Sequence, residues 1–529
     1  MAENEHRDDQ RETVAFLSDS ATHGGVEPET VETHAAIVFL AGENAYKLKK
    51  AVRFPFLDFT SLEERERVCR REIELNRRTA PQLYLGCLPV TRDGGRLSIG
   101  GGGEPVDWVV HMRRFDQSAT LDREIERHGL KPDIVDELTD AVAAMHAEAE
   151  VHRDGEALAQ VKRVAMSNLA DIEADAAAFP ADEAVRLRTR TGQALGRHAA
   201  LIARRASAGE VRRCHGDLHL ANIALIDGRP VVFDALEFDE RLATTDVLYD
   251  LAFLLMDLWQ RGAAAEANRV LNRWISRRRH RGDLEGLALL PLFMSMRAAV
   301  RAKVSAARSR DKEPGEAESH LEEARRYLQV ATVMLEPAAP TIVAVGGFSG
   351  SGKSTLARRI APHLAPPPGA VVLRSDQIRK ELAGVGEMER LPASAYTREA
   401  SDAVYAAMRV RARVVASSGL SAMADAVHGT PEERRAIAET ARDAGVPFAC
   451  VWIDADRSTL STRVDVRTGD ASDATPAVVS QQVEHLSVPE DWPQVRNDGA
   501  VEDAETAALD AVRRQVPGSL EPFVSQKRR

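Results

Sequence analysis

Cysteine is scarce in this chain: 529 residues contain four, Cys69, Cys87, Cys214 and Cys450, with no C-x-x-C spacing among them. That pattern excludes a disulfide framework and a zinc ribbon, and it suits packing thiols in a reducing compartment. Long apolar runs are missing as well. Nothing approaches the roughly 20 residues needed to cross a bilayer, and the first ten residues are charged where a secretory leader would be apolar. A cytoplasmic protein with no membrane association is therefore expected. Positive charge is in deficit, with a formal net charge of −11, so the chain has no general attraction for nucleic acid or for an anionic surface. Small molecules are the expected partners. The length exceeds one ordinary core and predicts two or three domains.

What is present stands out against these absences. Gly347-Phe-Ser-Gly-Ser-Gly-Lys353-Ser354 spells G-x-x-x-x-G-K-S directly after the β-branched run Thr341 to Val345. In such a phosphate loop, Gly347, Gly350 and Gly352 let the backbone, with Ser349 and Ser351, fold its N–H groups inward around a triphosphate. Lys353 reaches the terminal phosphates, Ser354 can ligand Mg²⁺, and a helix from Thr355 adds its positive end. ATP or GTP is the ligand class.

Texture divides the rest. Residues 1–30 are polar and predict at most one edge element. Residues 35 to about 115 read as a small sheet with one helix, Ser61 to Arg78. From about 121 to 336 the chain is mostly helical, interrupted by a strand-and-loop island from Cys214 to Asp239. Glu336-Pro-Ala-Ala-Pro340 opposes continuation of that helical run, so a boundary is expected there. The expected organisation is a domain at 31–335, a linker at 336–340, a second domain at 341–516 with a parallel sheet, and a loose tail at 517–529. On one face of the stretch 296–303 lie Arg297 and Arg301, suited either to an anionic acceptor or to solvent.

Within the island, His215-Gly-Asp217-Leu-His-Leu-Ala-Asn222 sets Asp and Asn five positions apart, and Asp234 follows the strand Pro230 to Phe233. Asp217 suits orientation and deprotonation of a hydroxyl, while Asn222 and Asp234 offer hard oxygen ligands to Mg²⁺ on ATP. The form H-G-D-L-H-x-x-N resembles aminoglycoside phosphotransferases and their choline, homoserine and sugar kinase relatives, over most of residues 35 to 335. The resemblance implies a bilobal, protein-kinase-like α+β fold. It further implies a strand lysine on the ATP phosphates, Lys47 or its neighbour Lys49, paired with Glu72 on the next helix or less well with Glu74. It makes Asp250 a prop for the catalytic loop. No G-x-G-x-x-G precedes Lys47, a departure that leaves the nucleotide contacts less defined.

In the second domain, the strand at 370–373 ends in Arg374-Ser-Asp376-Gln-Ile-Arg379. This resembles small P-loop kinases of the polynucleotide 5′-hydroxyl kinase, chloramphenicol phosphotransferase, zeta toxin and gluconate kinase type, and implies Asp376 as base and Arg379 as its positioning neighbour. Asp425 ends a moderately apolar strand and suits either Mg²⁺ or a helix cap. Arg463 and Arg467, four apart, are expected on one helix face, as lid groups that neutralise the moving phosphoryl or as a solvated face. The whole predicts an α/β and α+β fusion of two ATP- and Mg²⁺-dependent kinases acting on small-molecule hydroxyls, with a polynucleotide end left open for the second. The alternative is one active P-loop kinase regulated by a nucleotide-binding pseudokinase.

Overall fold

The computed structural model describes residues 10–520 apart from 55–56, 154, 311 and 467–469. Its residues form two compact units, Met1–Gln160 with Ala206–Leu254, and Val161–Arg205 with Leu255–Arg529. The stretch 336–340 lies inside the second.

In the first unit, α1 (Arg11–Ser18) precedes β1 (Glu29–Glu32), β2 (Ala36–Ala41), β3 (Asn44–Lys49), α2 (Leu62–Asn76), β4 (Tyr84–Asp93), β5 (Arg96–Ile99) and β6 (Glu104–Arg113). The strands form one antiparallel sheet in the order β1-β2-β3-β6-β4-β5. The amino-terminal stretch thus supplies a helix besides the expected edge strand. Leu17 of α1 is buried with Phe39, Leu48 and Val109. The side chain of Ser61 caps α2 by accepting from Glu64 N at 3.1 Å. Val68, Cys69, Glu72, Ile73 and Asn76 recur at helical spacing and face inward, whereas the Glu74 side chain is exposed. Two positions, just over half a helical turn, therefore decide which glutamate enters the core.

Beyond the sheet come α3 (Pro132–Glu148), the hairpin β7 (Ile223–Ile226) with β8 (Arg229–Val232), and α4 (Val247–Gln260). The loop that carries Asp217 runs directly into β7.

In the second unit, α5 (Ala264–Arg278) is followed by α6 (Leu290–Ser309) and α7 (Pro314–Val333), which pack together. The expected basic face of α6 is not solvated: Arg297 is buried and the Arg301 guanidinium lies 5.5 Å from the Tyr327 ring centroid. Next come β9 (Ile342–Gly346), α8 (Lys353–Ile360), β10 (Val371–Arg374), α9 (Ser375–Leu382), α10 (Arg398–Ser417), β11 (Ala422–Asp425), β12 (Phe448–Asp454), α11 (Arg457–Asp465), α12 (Pro476–His485), β13 (Gln494–Arg496) and α13 (Val501–Gln515). Five parallel strands run in the order β10-β11-β9-β12-β13. Because β9 is central, all five of its residues are buried, which is why it reads as a continuous apolar run. Its Val343 and Val345 pack with Leu356 and Ile360 of α8 and with Val451 and Ile453 of β12. The tail expected from 517 is docked as far as the description extends: Ala365 N donates to Ser519 O at 2.9 Å, and Leu520 bridges Leu364.

The outer strand β10 is finished by side chains rather than by another strand. Asn268 Nδ2 of α5 donates to Pro368 O and Ala370 O, each at 3.0 Å, and Asn272 Oδ1 accepts from Val372 N at 2.7 Å. Two amides one helical turn apart thus satisfy backbone groups that no neighbouring strand can reach. Replacing both asparagines by alanine is expected to destabilise this unit by about 3 kcal/mol, since buried acceptors and a donor lose their partners. Urea unfolding followed by tryptophan fluorescence would measure it, and an unchanged midpoint would contradict it. No helix among the described residues is long and apolar enough to cross a membrane.

Candidate active sites

The first site forms where β3, α2 and the loops around β7 and β8 meet. Lys47 Nζ lies 2.8 Å from Glu72 Oε1 and 2.6 Å from Asp234 Oδ1. Burial alone would lower the Lys47 ammonium, but Asp234 and then Glu72 outweigh it and hold its pKa well above the usual lysine range. Asp234 answers in kind: burial would raise its carboxyl, yet Lys47 holds it below the usual range. Asp234 also takes a left-handed backbone, φ 61°, a conformation that aspartate tolerates better than most residues. Asn222 Nδ2 donates to both Asp217 Oδ2 and Asp217 O at 3.0 Å. The Asp217 side chain keeps 40% of its exposure, so its carboxylate is open to an incoming hydroxyl. Asp250 is buried under this loop, accepting from Gly216 N at 2.8 Å and His215 N at 3.2 Å while touching His146 Nε2 at 3.1 Å. Asp250 and His146 thus brace the loop from below. His219 Nε2 stands 3.3 Å from Asp217 Oδ2 as its ring meets Phe253 edge-on.

Both lysines reach Glu72, and they differ in their second partner. Lys47 alone also holds Asp234, whereas Lys49 turns to Glu237 Oε1 at 2.5 Å.

The second site forms at the carboxyl ends of β9, β10 and β11. Gly350 has φ 84° and Gly352 φ 88°, and a Cβ on either would collide, with Leu460 O and Asn497 Nδ2 respectively. The loop is therefore wrapped by α11 and by the end of β13, and only glycine fits those two places. Its helix begins at Lys353, two residues earlier than expected, so Ser354 and Thr355 lie in the first turn of α8. Asn497 Nδ2 fixes Ser351 O at 2.8 Å, and Ser349 N donates to Gln482 Oε1 of α12 at 2.8 Å.

Asp425 pairs in register with Val345 on one side and Arg374 on the other. Its carboxylate is buried, both oxygens lack a hydrogen-bond partner, and the nearest cation contact is Arg374 Nε at 3.5 Å. A buried carboxylate left so is costly unless a ligand or its hydration shell completes it, and this donor set fits Mg²⁺. The helix-cap alternative fails, because Thr430 caps the following helix. Asp376 lies in the first turn of α9. Arg379 lies in the same helix, where its Nη1 donates to Ala395 O at 2.7 Å and its guanidinium sits 4.9 Å from the Tyr396 ring centroid. Arg463 comes close to the Gly352 turn, and its buried Nη1 has no hydrogen-bond partner. Helix α11 ends at Asp465. Arg467 lies outside the described residues.

Sequence reasoning missed Glu237, Gln482, Asn497 and the bidentate contact of Arg374 with Asp470, 3.1 Å to each oxygen. Each is brought in by chain far from the motif it serves or lies in no recognised pattern, so no local spacing announced it.

Comparison with known proteins agrees with this arrangement. The model of the Phosphotransferase enzyme family matches residues 50–289, starting just after Lys47, and that of an AAA domain matches residues 342–489. The uncharacterized protein Rv2004c of Mycobacterium tuberculosis is 34% identical over 460 residues, spanning 85% of this chain and 88% of its own length. The chain belongs to the family of that protein. Among solved structures, choline kinase from Cryptosporidium parvum covers 60% of this chain and 95% of its own at 9% identity, TM-score 0.39. A gluconokinase from Sinorhizobium meliloti covers 34% and 94% at 22% identity, TM-score 0.26. The chain thus joins a phosphotransferase-family domain to a P-loop kinase domain and is an enzyme of the kinase type.

Proposed function

We propose that this chain is a bifunctional phosphotransferase, each domain moving the γ-phosphoryl of ATP to a hydroxyl of a small molecule. The functional domains are taken as 31–335 and 341–516. The observation that carries the reading is that the chain holds two separate, complete sets of groups for this chemistry, one around Lys47 and one around Lys353. In the first, Lys47 steadied by Glu72 holds phosphate oxygens, Asp217 receives the acceptor's proton, and Asn222 with Asp234 would hold Mg²⁺. In the second, backbone N–H groups from Gly347 to Thr355 and the Lys353 ammonium cradle the phosphates, with Asp376 as base. Ser354 and Asp425 would hold Mg²⁺, and Arg463 offsets charge on the moving group; Arg379 and Arg467 keep the supporting roles given by the motif. When bound, Mg²⁺ neutralises charge that develops between the β- and γ-phosphates. No covalent intermediate is needed, since positioning and charge neutralisation suffice.

The net charge of −11 favours small acceptors over a long nucleic acid. The test is an acceptor screen on the full chain, measuring ADP release with sugars, amino alcohols, antibiotics and short 5′-hydroxyl oligonucleotides. Two acceptor-dependent activities with different acceptor profiles are expected. A single activity, abolished by Lys353→Ala, would instead make the first domain a nucleotide-binding regulator.

A further inference from the structure

Strand β3 brings two lysines, not one, to a buried set of carboxylates. Lys47 and Lys49 are two residues apart and so share a face of the sheet. Between them they divide Glu72: Oε1 is 2.8 Å from Lys47 Nζ and Oε2 is 2.5 Å from Lys49 Nζ. The directed hydrogen bond of Lys49, however, goes to Glu237 Oε1 at 2.5 Å, and Glu72 Oε2 receives none. All three side chains are out of water, with relative exposures of 2% for Lys49, 0% for Glu72 and 7% for Glu237. Glu237 follows Asp234 by three residues, so β3 grips this stretch at two points, Lys47 on Asp234 and Lys49 on Glu237.

We propose that Glu237 is a positioning residue of the first site, which acts by occupying Lys49 and so leaving Glu72 to orient Lys47 toward Asp234. This rests on the reading of the first site as a phosphotransferase centre. A buried ammonium must find a carboxylate, because desolvation without a partner costs several kcal/mol. With Glu237 uncharged, Glu72 is the remaining anion in contact with Lys49, and the two lysines compete for one carboxylate. Lys47 then loses half of its anchorage and is left with Asp234, 2.6 Å away, as its one undivided carboxylate contact. Glu237 also walls a cavity of about 460 Å³ together with Arg71, His152 and Thr244, whereas Lys49 and Glu72 do not line it.

The test reads Lys47 directly in the full-length chain, by trace labelling with acetic anhydride and peptide mass spectrometry. Glu237→Gln is expected to raise the labelling rate of Lys47 about tenfold, since weakening a lysine's anionic contacts by the equivalent of one pKa unit yields that much more free amine. Lys49→Met removes the competitor and should leave Lys47 as protected as in the wild type. The double variant Lys49→Met/Glu237→Leu should return to that protection. Unchanged Lys47 labelling in Glu237→Gln, or a double variant labelled like that single one, overturns the proposal. If Glu237→Gln does not fold, an exposed Lys47 in Lys49→Met overturns it alone. Wild-type Lys47 that Mg-ATP fails to protect would defeat the phosphotransferase reading of this site, while the comparison among variants still decides the role of Glu237.

Discussion

Lys353→Ala abolishes turnover at the P-loop and leaves phosphoryl transfer at the Lys47 site intact: that is the expected result for the full-length chain. Lys353 opens α8, directly after the Gly352 turn of the phosphate loop. Its ammonium is the mobile positive charge there, and it acts where negative charge builds as the phosphoryl moves. Loss of one such contact costs about 3 kcal/mol or more in transition-state stabilisation, at least a hundredfold in rate. The fold should survive, because Lys353 makes no ion pair among the described residues, whereas Gly350 and Gly352 are fixed by close packing. Steady-state ADP release with an acceptor specific to each domain would separate the two rates. Equal loss at both sites would show that the reactions are coupled, and the claim of two independent centres would fall.

The second large effect is expected from Asp217→Asn, which removes the proton acceptor of the first site while keeping its shape. Asn222 now donates to the Asp217 carboxylate, and an amide oxygen at that position could still accept this bond. Lys47, Glu72 and Asp234 are untouched, so Mg-ATP should bind with nearly wild-type affinity by calorimetry. Transfer should fall by about two to four orders of magnitude, the usual worth of a positioned general base. Retained transfer would remove Asp217 from the proposed chemistry. Loss of nucleotide binding in step with transfer would mean that Asp217 belongs to the metal site.

Much of this was legible in the chain because each motif carries its own local geometry. The phosphate loop announces itself through glycines at the two positions where neighbouring chain leaves no room for a Cβ, and a buried parallel strand announces itself as an uninterrupted apolar run. The spacing of Asp217, Asn222 and Asp234 needs only one loop and one hairpin to become a cluster. Glu72 was implied by the resemblance, and the helical register of α2 buries it while leaving Glu74 exposed. What could not be read depends on distant chain. The partition between Lys47 and Lys49 is decided by Glu237, whose place is set by how the stretch after β8 returns under β3. Arg379 came from the resemblance to small P-loop kinases, and the contacts it makes with Ala395 and Tyr396 come from chain beyond that motif.

The asparagine clamp of α5 on β10 bears on how such a chain can be inherited and expressed. A strand bared along its outer edge is a template for joining other copies edge to edge. Helix α5 lies within the stretch matched by the phosphotransferase family model, yet its amides shield the outermost strand of the P-loop sheet. A gene split at the proline-bounded stretch would deliver the P-loop module with that edge uncovered, a product prone to self-association. The two centres are therefore held at a ratio of one to one by the solubility of the second, whether or not they share a metabolite.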